Sequence, residues 1–182
     1  SGEILFDGKT IDKDYKDKIG YLPEERGVYK KEKVNDMLLY FAALKGKRPQ
    51  EVQNNIDKWL KKFDLFDWKY RKMDTLSKGM SQKIQFISAI VHDPDILFLD
   101  EPFSGLDPIS TDLLRDSIAE LSSQGKTILF STHIMEQAEK ICDKILVMNK
   151  GKQVLYGKLS DIKDEFGINT VHIEFDGNID FL

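Results

Sequence analysis

Seven consecutive residues constrain the fold of this chain more than any other segment. Asp95-Ile96-Leu97-Phe98-Leu99-Asp100-Glu101 is a continuous apolar run closed by two carboxylates, and Pro102 then turns the chain away. A short apolar run without polar alternation is the pattern of a strand covered on both faces, as in a parallel sheet flanked by helices. Thr127 to Phe130 repeats the pattern and is expected to form a second buried strand. Between them, Asp107-Pro108 starts a helix carrying Ile109, Leu113, Ile118 and Leu121 and ended by Gly125. The fold class that follows is α/β.

The segments around this unit are of three kinds. Upstream, Glu3 to Phe6 followed by Asp7-Gly8 reads as a short strand and turn, and Lys18 to Leu22 as a strand closed by Pro23. Val34 to Val91 reads as helical throughout. Val34, Met37, Leu38 and Phe41 form one face, and Val52, Ile56, Trp59, Leu60 and Phe63 a second, with Pro49 in its first turn. Ile84, Ile87 and Val91 form a third, beginning near Ser77. An α/β core is thus interrupted by a helical insert. Trp59 and Trp68 are expected in its core, and Lys69, Arg71 and Lys72 on a solvated face. Downstream, a short helix after Thr132 turns Met135, Ala138 and Ile141 inward, and Ile145–Met148 and Gln153–Tyr156 form a hairpin around Asn149-Lys150-Gly151. Ser160 caps a helix stopping at Gly167, and Val171, Ile173 and Phe175 alternate as a last strand.

Composition narrows the function classes. The 182 residues suit one domain, or one domain plus a fragment of another. A net charge of -4 argues against a general nucleic-acid binder driven by counterion release. The longest apolar run, Met37 to Leu44, is too short to span a bilayer. Cys142 is the only cysteine, so no intramolecular disulfide forms and a reducing compartment is the simplest assumption. The chain begins at Ser1 with neither an initiator Met nor a secretory signal, and it reads as a processed or excised product.

Chemistry is expected at the carboxyl ends of the strands, where open α/β sheets hold their ligands. Asp100 and Glu101 lie there, a pair that suits a hydrated Mg²⁺ and a general base. The plainer alternative is a strand-end turn capped by acids. Leu76-Ser77-Lys78-Gly79-Met80-Ser81-Gln82 lies where a helix begins, and a helix N-terminus favours phosphate, although Ser77 also suits an ordinary N-cap. Ser104-Gly105-Leu106-Asp107-Pro108 is a tight loop entering a helix. His133, in Phe130-Ser131-Thr132-His133, lies just past the end of the second strand, at the same sheet edge as the two acids.

In this order and spacing, these segments resemble the ATP-binding cassette (ABC) ATPases over about residues 3–159. Leu76 to Gln82 resembles the family signature, Ile96 to Glu101 the Walker B strand with its catalytic glutamate, Ser104 to Asp107 the D-loop, and His133 the switch histidine. The resemblance implies a P-loop NTPase fold of the ABC type, a three-layer α/β core with an inserted helical subdomain. It implies a nucleotide-binding domain over residues 1–160, with the insert at about 30–92, and a C-terminal extension over 161–182 that starts an accessory domain. It also implies the cofactors ATP and Mg²⁺. Asp100 would hold Mg²⁺ through water, Glu101 polarise the attacking water and His133 contact the γ-phosphate. Ser77, Lys78, Gly79 and Met80 would meet a nucleotide bound on a second subunit, and Asp107 would link the two composite sites. The implied partners are that second nucleotide-binding subunit and a transmembrane permease, with no nucleic acid. The implied location is the cytoplasmic face of the cell membrane.

Three departures qualify the resemblance: a missing motif, the residue at position 24, and the tail Val171 to Leu182, which lies past the usual catalytic core. The sequence holds no G-x-x-x-x-G-K-[ST] motif: Gly8-Lys9-Thr10 would need glycine at position 3, where Glu3 stands, and Gly125-Lys126-Thr127 would need it at 120, where Glu120 stands. The chain is therefore expected to be truncated at its N-terminus and inactive alone, with the missing P-loop strand beside the Asp95–Asp100 strand. Glu24 stands where the family usually carries a Mg²⁺-contacting glutamine, so it is a candidate metal contact or a solvated loop acid. Tyr21 to Tyr29, with Lys78 and Met80, resembles bacterial exporters that include sodium-efflux ATPases. A non-transport ABC ATPase acting on ribosomes or DNA is the alternative function, which the acidic balance disfavours. A non-catalytic regulatory module is a third class, disfavoured by Glu101 and His133.

Overall fold

The computed structural model describes residues 5–6, 8–10, 13–24 and 31–166. The alternating final strand expected over Val171 to Phe175, and the helix stop at Gly167, lie outside the described residues. Contacts divide the chain into two compact units, Ser1–Ile134 and Met135–Leu182.

In the first unit, β1 (Leu5–Phe6) and β2 (Lys9–Thr10) form a small antiparallel pair, followed by the one-turn helix α1 (Lys13–Lys16). The sheet that positions the chemistry is parallel: β3 (Ile19–Leu22), β4 (Ile96–Asp100) and β5 (Thr127–Ser131), in the order β3-β4-β5. Leu22 pairs with Leu99 and Asp100 with Ser131, so all three strands deliver their carboxyl ends to one edge. This order corrects one expectation: β4 has a neighbour on each side, so no further strand fits beside it. The outer edge of β5 is the one left unpaired on that side, among the described residues.

The helical insert joins β3 to β4. It contains α2 (Val34–Leu44), α3 (Pro49–Lys62), 3₁₀ turns at Phe66–Trp68 and Met73–Thr75, and α4 (Lys78–Ile90). The helical spacing of its apolar residues puts Met37, Leu38, Ile56, Leu60, Ile84 and Ile87 in one core, all at most 1% exposed. Trp59 packs edge-on to Phe86 at 6.4 Å between ring centroids, and Phe63 lies 5.8 Å from the same ring. Trp68 is only half-buried. The insert meets the sheet closely at Gly20, where a Cβ would lie 2.2 Å from the Ala89 carbonyl oxygen and 2.7 Å from Leu97 Cδ1. Only glycine allows that approach of α4 to β3.

Burial departs from the sequence pattern in several places. Phe98 is 36% exposed, so β4 is not covered along its full length on both faces, and Leu129 in β5 is 50% exposed. In α5 (Pro108–Ser123) the buried face is Ser110, Leu114, Ser117, Ile118 and Leu121, while Ile109 is exposed and Leu113 half-buried. The two serines on that face conceal its register. Each is satisfied locally, Ser117 Oγ donating to the Leu113 carbonyl at 2.8 Å and Ser110 Oγ to Asp107 at 2.6 Å. Lys69 is buried rather than solvated, with its ammonium 2.7 Å from Asp57 and near the Phe66 and Tyr70 rings.

The second unit holds α6 (Met135–Ile141), β6 (Lys144–Asn149), β7 (Lys152–Lys158) and α7 (Leu159–Phe166). The expected hairpin is present, antiparallel, with a bulge between Val147 and Met148. Ala138 is the buried residue of α6, whereas Met135 is exposed. Ser160 lies inside the first turn of α7, its hydroxyl bonded to Asp161, instead of capping the helix.

Candidate functional site

β4 ends in the two acids because its apolar residues belong to the sheet and the carboxylates to the solvent edge beyond it. Asp100 and Glu101 are both half-buried there. Glu101 adopts the left-handed backbone region with φ 44°, a conformation costing a non-glycine residue roughly 1–2 kcal/mol. The turn that follows closes with Ser104 N–H donating to the Glu101 carbonyl at 3.2 Å. Phe103 anchors the loop beneath, 4% exposed and edge-on to Phe130.

The end of β5 reaches the same point. His133 Nδ1 lies 2.8 Å from Glu101 Oε1, with His133 itself exposed to solvent. A carboxylate only accepts, so Nδ1 carries the proton and Nε2 remains as the outward ring atom. Sequence reasoning missed Ser131, whose hydroxyl donates to Asp100 Oδ1 and accepts the Glu101 N–H at 3.1 Å. Its signal is its register opposite Asp100, which no local pattern reveals.

α4 presents the second element. Ser77 is its N-cap, its Oγ accepting from Met80 N–H at 3.2 Å. Lys78, Gly79 and Met80 form the first turn. A Cβ at Gly79 would meet nothing within 4 Å, so packing within this chain does not account for that glycine. Gln82, also missed as an individual site residue, is buried and donates from Nε2 to the Ser104 carbonyl at 2.5 Å, tying α4 to the loop after the acids. Asp107, at the far end of that loop, caps α5: its Oδ1 accepts Ser110 N–H at 2.9 Å. The Ser110 hydroxyl first, and then its amide, holds the Asp107 carboxyl below its ordinary range.

Glu24 is exposed, two residues beyond β3 on the same edge of the sheet. The structure brings Asp100, Glu101 and His133 together and ties the signature-like helix to the Ser104 loop. Asp100 offers hard carboxylate oxygens at the sheet edge, the donor type Mg²⁺ takes when shared with phosphate and water. Among the described residues no group of three or more His, Cys, Asp or Glu is arranged as an all-protein metal cage. A separate cavity of about 340 Å³ lies between β3, α2 and α4, its wall including Leu22, Met37, Phe41, Gln85 and His92. Among the described residues, no helix is long and apolar enough to cross a membrane.

Comparison with known proteins gives consistent matches. The ABC transporter family model matches residues 1–104. YhaQ of Bacillus subtilis (strain 168), named an uncharacterized ABC transporter ATP-binding protein, is 46% identical over 181 residues, covering 100% of this chain and 61% of the relative. MJ1023 of Methanocaldococcus jannaschii, named likewise, is 54% identical over 145 residues, covering 80% of this chain and 55% of the relative. The chain therefore spans well under two thirds of the length of these two curated relatives. A solved structure of an ATP-binding subunit of an ABC transporter matches with a TM-score of 0.82 and 30% identity, over 92% of this chain and 71% of that one.

Proposed function

Because the chain belongs to the ABC transporter ATP-binding family and has its P-loop NTPase fold, we propose that it supplies the hydrolytic acids and signature surface of a transporter's ATPase subunit. The observation that carries this reading is the convergence of Asp100, Glu101 and His133 at one end of the parallel sheet, with Glu101 Oε1 2.8 Å from His133 Nδ1. The family binds ATP, with Mg²⁺, and its ATP-binding subunits work with permease components.

In the proposed mechanism each residue has one task. Asp100, with Glu24 as a second contact, would hold Mg²⁺. That ion, when bound, neutralises charge developing on the phosphates. Glu101 accepts a hydrogen bond from the attacking water and polarises it, a role typically worth ~10²–10⁴ in rate. His133 donates from Nδ1 to the Glu101 carboxylate and, with both ring nitrogens carrying protons, donates from Nε2 to the γ-phosphate. The first turn of α4, at Ser77, Lys78, Gly79 and Met80, meets the nucleotide of a second ATP-binding subunit, which suits the open space at Gly79. Asp107 carries the link between the two sites through the loop tied to Gln82. The helical insert presents the surface for the membrane permease, placing the protein peripherally at the cytoplasmic face.

Transport is outward in this reading, supported by the exporter-like segment Tyr21 to Tyr29. Sodium efflux is the narrower form of the same proposal. No nucleic-acid partner is proposed, because the acidic balance gives no electrostatic footprint for one. The 182 residues alone do not turn over ATP in this reading, since they contain no G-x-x-x-x-G-K-[ST] cradle.

The test has two arms. Calorimetric titration of this chain with Mg-ATP is expected to show no binding; tight binding that is lost in Asp100→Asn would overturn the account of the missing cradle. Joined behind a family P-loop segment, the chain is expected to hydrolyse ATP, and Glu101→Gln to lower turnover by about 10²–10⁴. Turnover unaffected by Glu101→Gln would overturn the reading itself.

A further inference from the structure

We infer that Ser131 is a positioning residue that locks both acids with a single hydroxyl. The reading begins in the register of the sheet. Ser131 is the Cα partner of Asp100 in the β4–β5 ladder, and it stands two residues before His133. Ser131 is the last residue of β5 and His133 lies in the bend just past it, and the bonds of both side chains place them at the end of β4.

A serine hydroxyl has one proton and two acceptor positions. Ser131 commits the proton to Asp100 Oδ1, and one acceptor position takes the Glu101 N–H at 3.1 Å. The first bond fixes the plane of the Asp100 carboxylate. The second supports Glu101 at φ 44°, a backbone state that persists only when its surroundings impose it. His133 then takes the other end of the same residue, its Nδ1 2.8 Å from the carboxylate. Glu101 is thus held at two points, its amide by Ser131 at the end of β5 and its side chain by His133 just beyond it. Ser131 is itself exposed, so burial of its side chain does not explain why it stands there. The functional meaning of this clamp rests on the proposed reading of Asp100 and Glu101 as the hydrolytic acids; the clamp itself does not.

The pair Ser131→Thr and Ser131→Val tests the inference. The two replacements have the same shape and differ in the hydroxyl. In amide hydrogen exchange, Glu101 is expected to stay protected in Ser131→Thr. In Ser131→Val its exchange should quicken by about tenfold, while the Thr127–Phe130 amides keep their rates. Crystal structures of the two variants should show the Glu101–His133 contact kept with Thr and lost with Val. Equal Glu101 exchange in the two variants would overturn the proposal. So would a Val effect shared by every β5 amide, which marks a purely structural serine, or an unchanged Glu101 in the Val structure. Neither measurement uses nucleotide, so failure of the clamp leaves the ATPase reading standing, and failure of the ATPase reading leaves the clamp testable.

Discussion

His92 is 2% exposed in the wall of the cavity between β3, α2 and α4. Its Nε2 faces the Ile19 carbonyl at 3.2 Å and must therefore donate, while Nδ1 is buried with no hydrogen-bond partner among the described residues. Burial pushes its pKa from 6.5 down to about 4; the Ile19 bond and Asp93 oppose this, and Lys45 and Lys47 assist it. The ring is therefore neutral in the fold, while the unfolded chain takes up a proton below its ordinary value. Stability is then complete above pH 6.5 and falls as the pH drops towards 4. The loss is about 3 kcal/mol at most. Thermal melts between pH 6.5 and 4.5 should show this slope, and His92→Gln, which can still donate to Ile19, should flatten it. A slope unchanged in His92→Gln would place the sensitivity elsewhere. At this scale the sequence was legible where chemistry is local: two consecutive acids after an apolar run announced themselves. Lys69 and Ser131 did not, because the roles of both depend on Asp57 and Asp100, which lie far from them in sequence.

Between elements, α3 is clipped to α5 by one carboxylate. Glu120 receives Lys58 at 2.8 Å and Lys62 at 2.5 Å, and the ammonium groups of both lysines also lie near the Trp59 ring. The hydrogen bond from Lys58, then that from Lys62, lowers the Glu120 pKa from 4.5 to about 2. A carboxyl depressed in the fold contributes stability above its unfolded value, and that contribution is lost as pH falls from about 4.5 to about 2. Part of the group faces water, so Glu120→Gln is expected to cost only about 1 kcal/mol at neutral pH, and less at high salt. Chemical denaturation of both forms checks this; a loss independent of salt would argue for packing. The helices themselves were readable from apolar spacing in the insert, where Val52, Ile56, Trp59 and Leu60 recur on one buried face. In α5 the same reasoning chose Ile109 and Leu113, because the true face carries Ser110 and Ser117 among its apolar residues.

Over the whole chain, the open edge of β5 is the main liability. Its outer side is unpaired among the described residues, and Leu129 and Ile134 are 50% and 41% exposed. An uncovered strand edge with apolar neighbours recruits another chain. The 182 residues are therefore expected to sediment as species larger than a monomer, and a monodisperse monomer would contradict this. The sequence by itself determined the family, the α/β class, the helical insert and the positions of Asp100, Glu101 and His133. The family rests on the resemblance of motifs in their order along the chain, and the others on local order: apolar runs, helical spacing, and polar residues where a strand must end. Only the tertiary structure decided that β4 lies between β3 and β5, that Glu101 bends into a left-handed turn, and that Ser131 meets both acids. Those facts depend on register between strands 31 and 77 residues apart in sequence, and hydrogen bonding across a sheet leaves no trace in the composition of either strand.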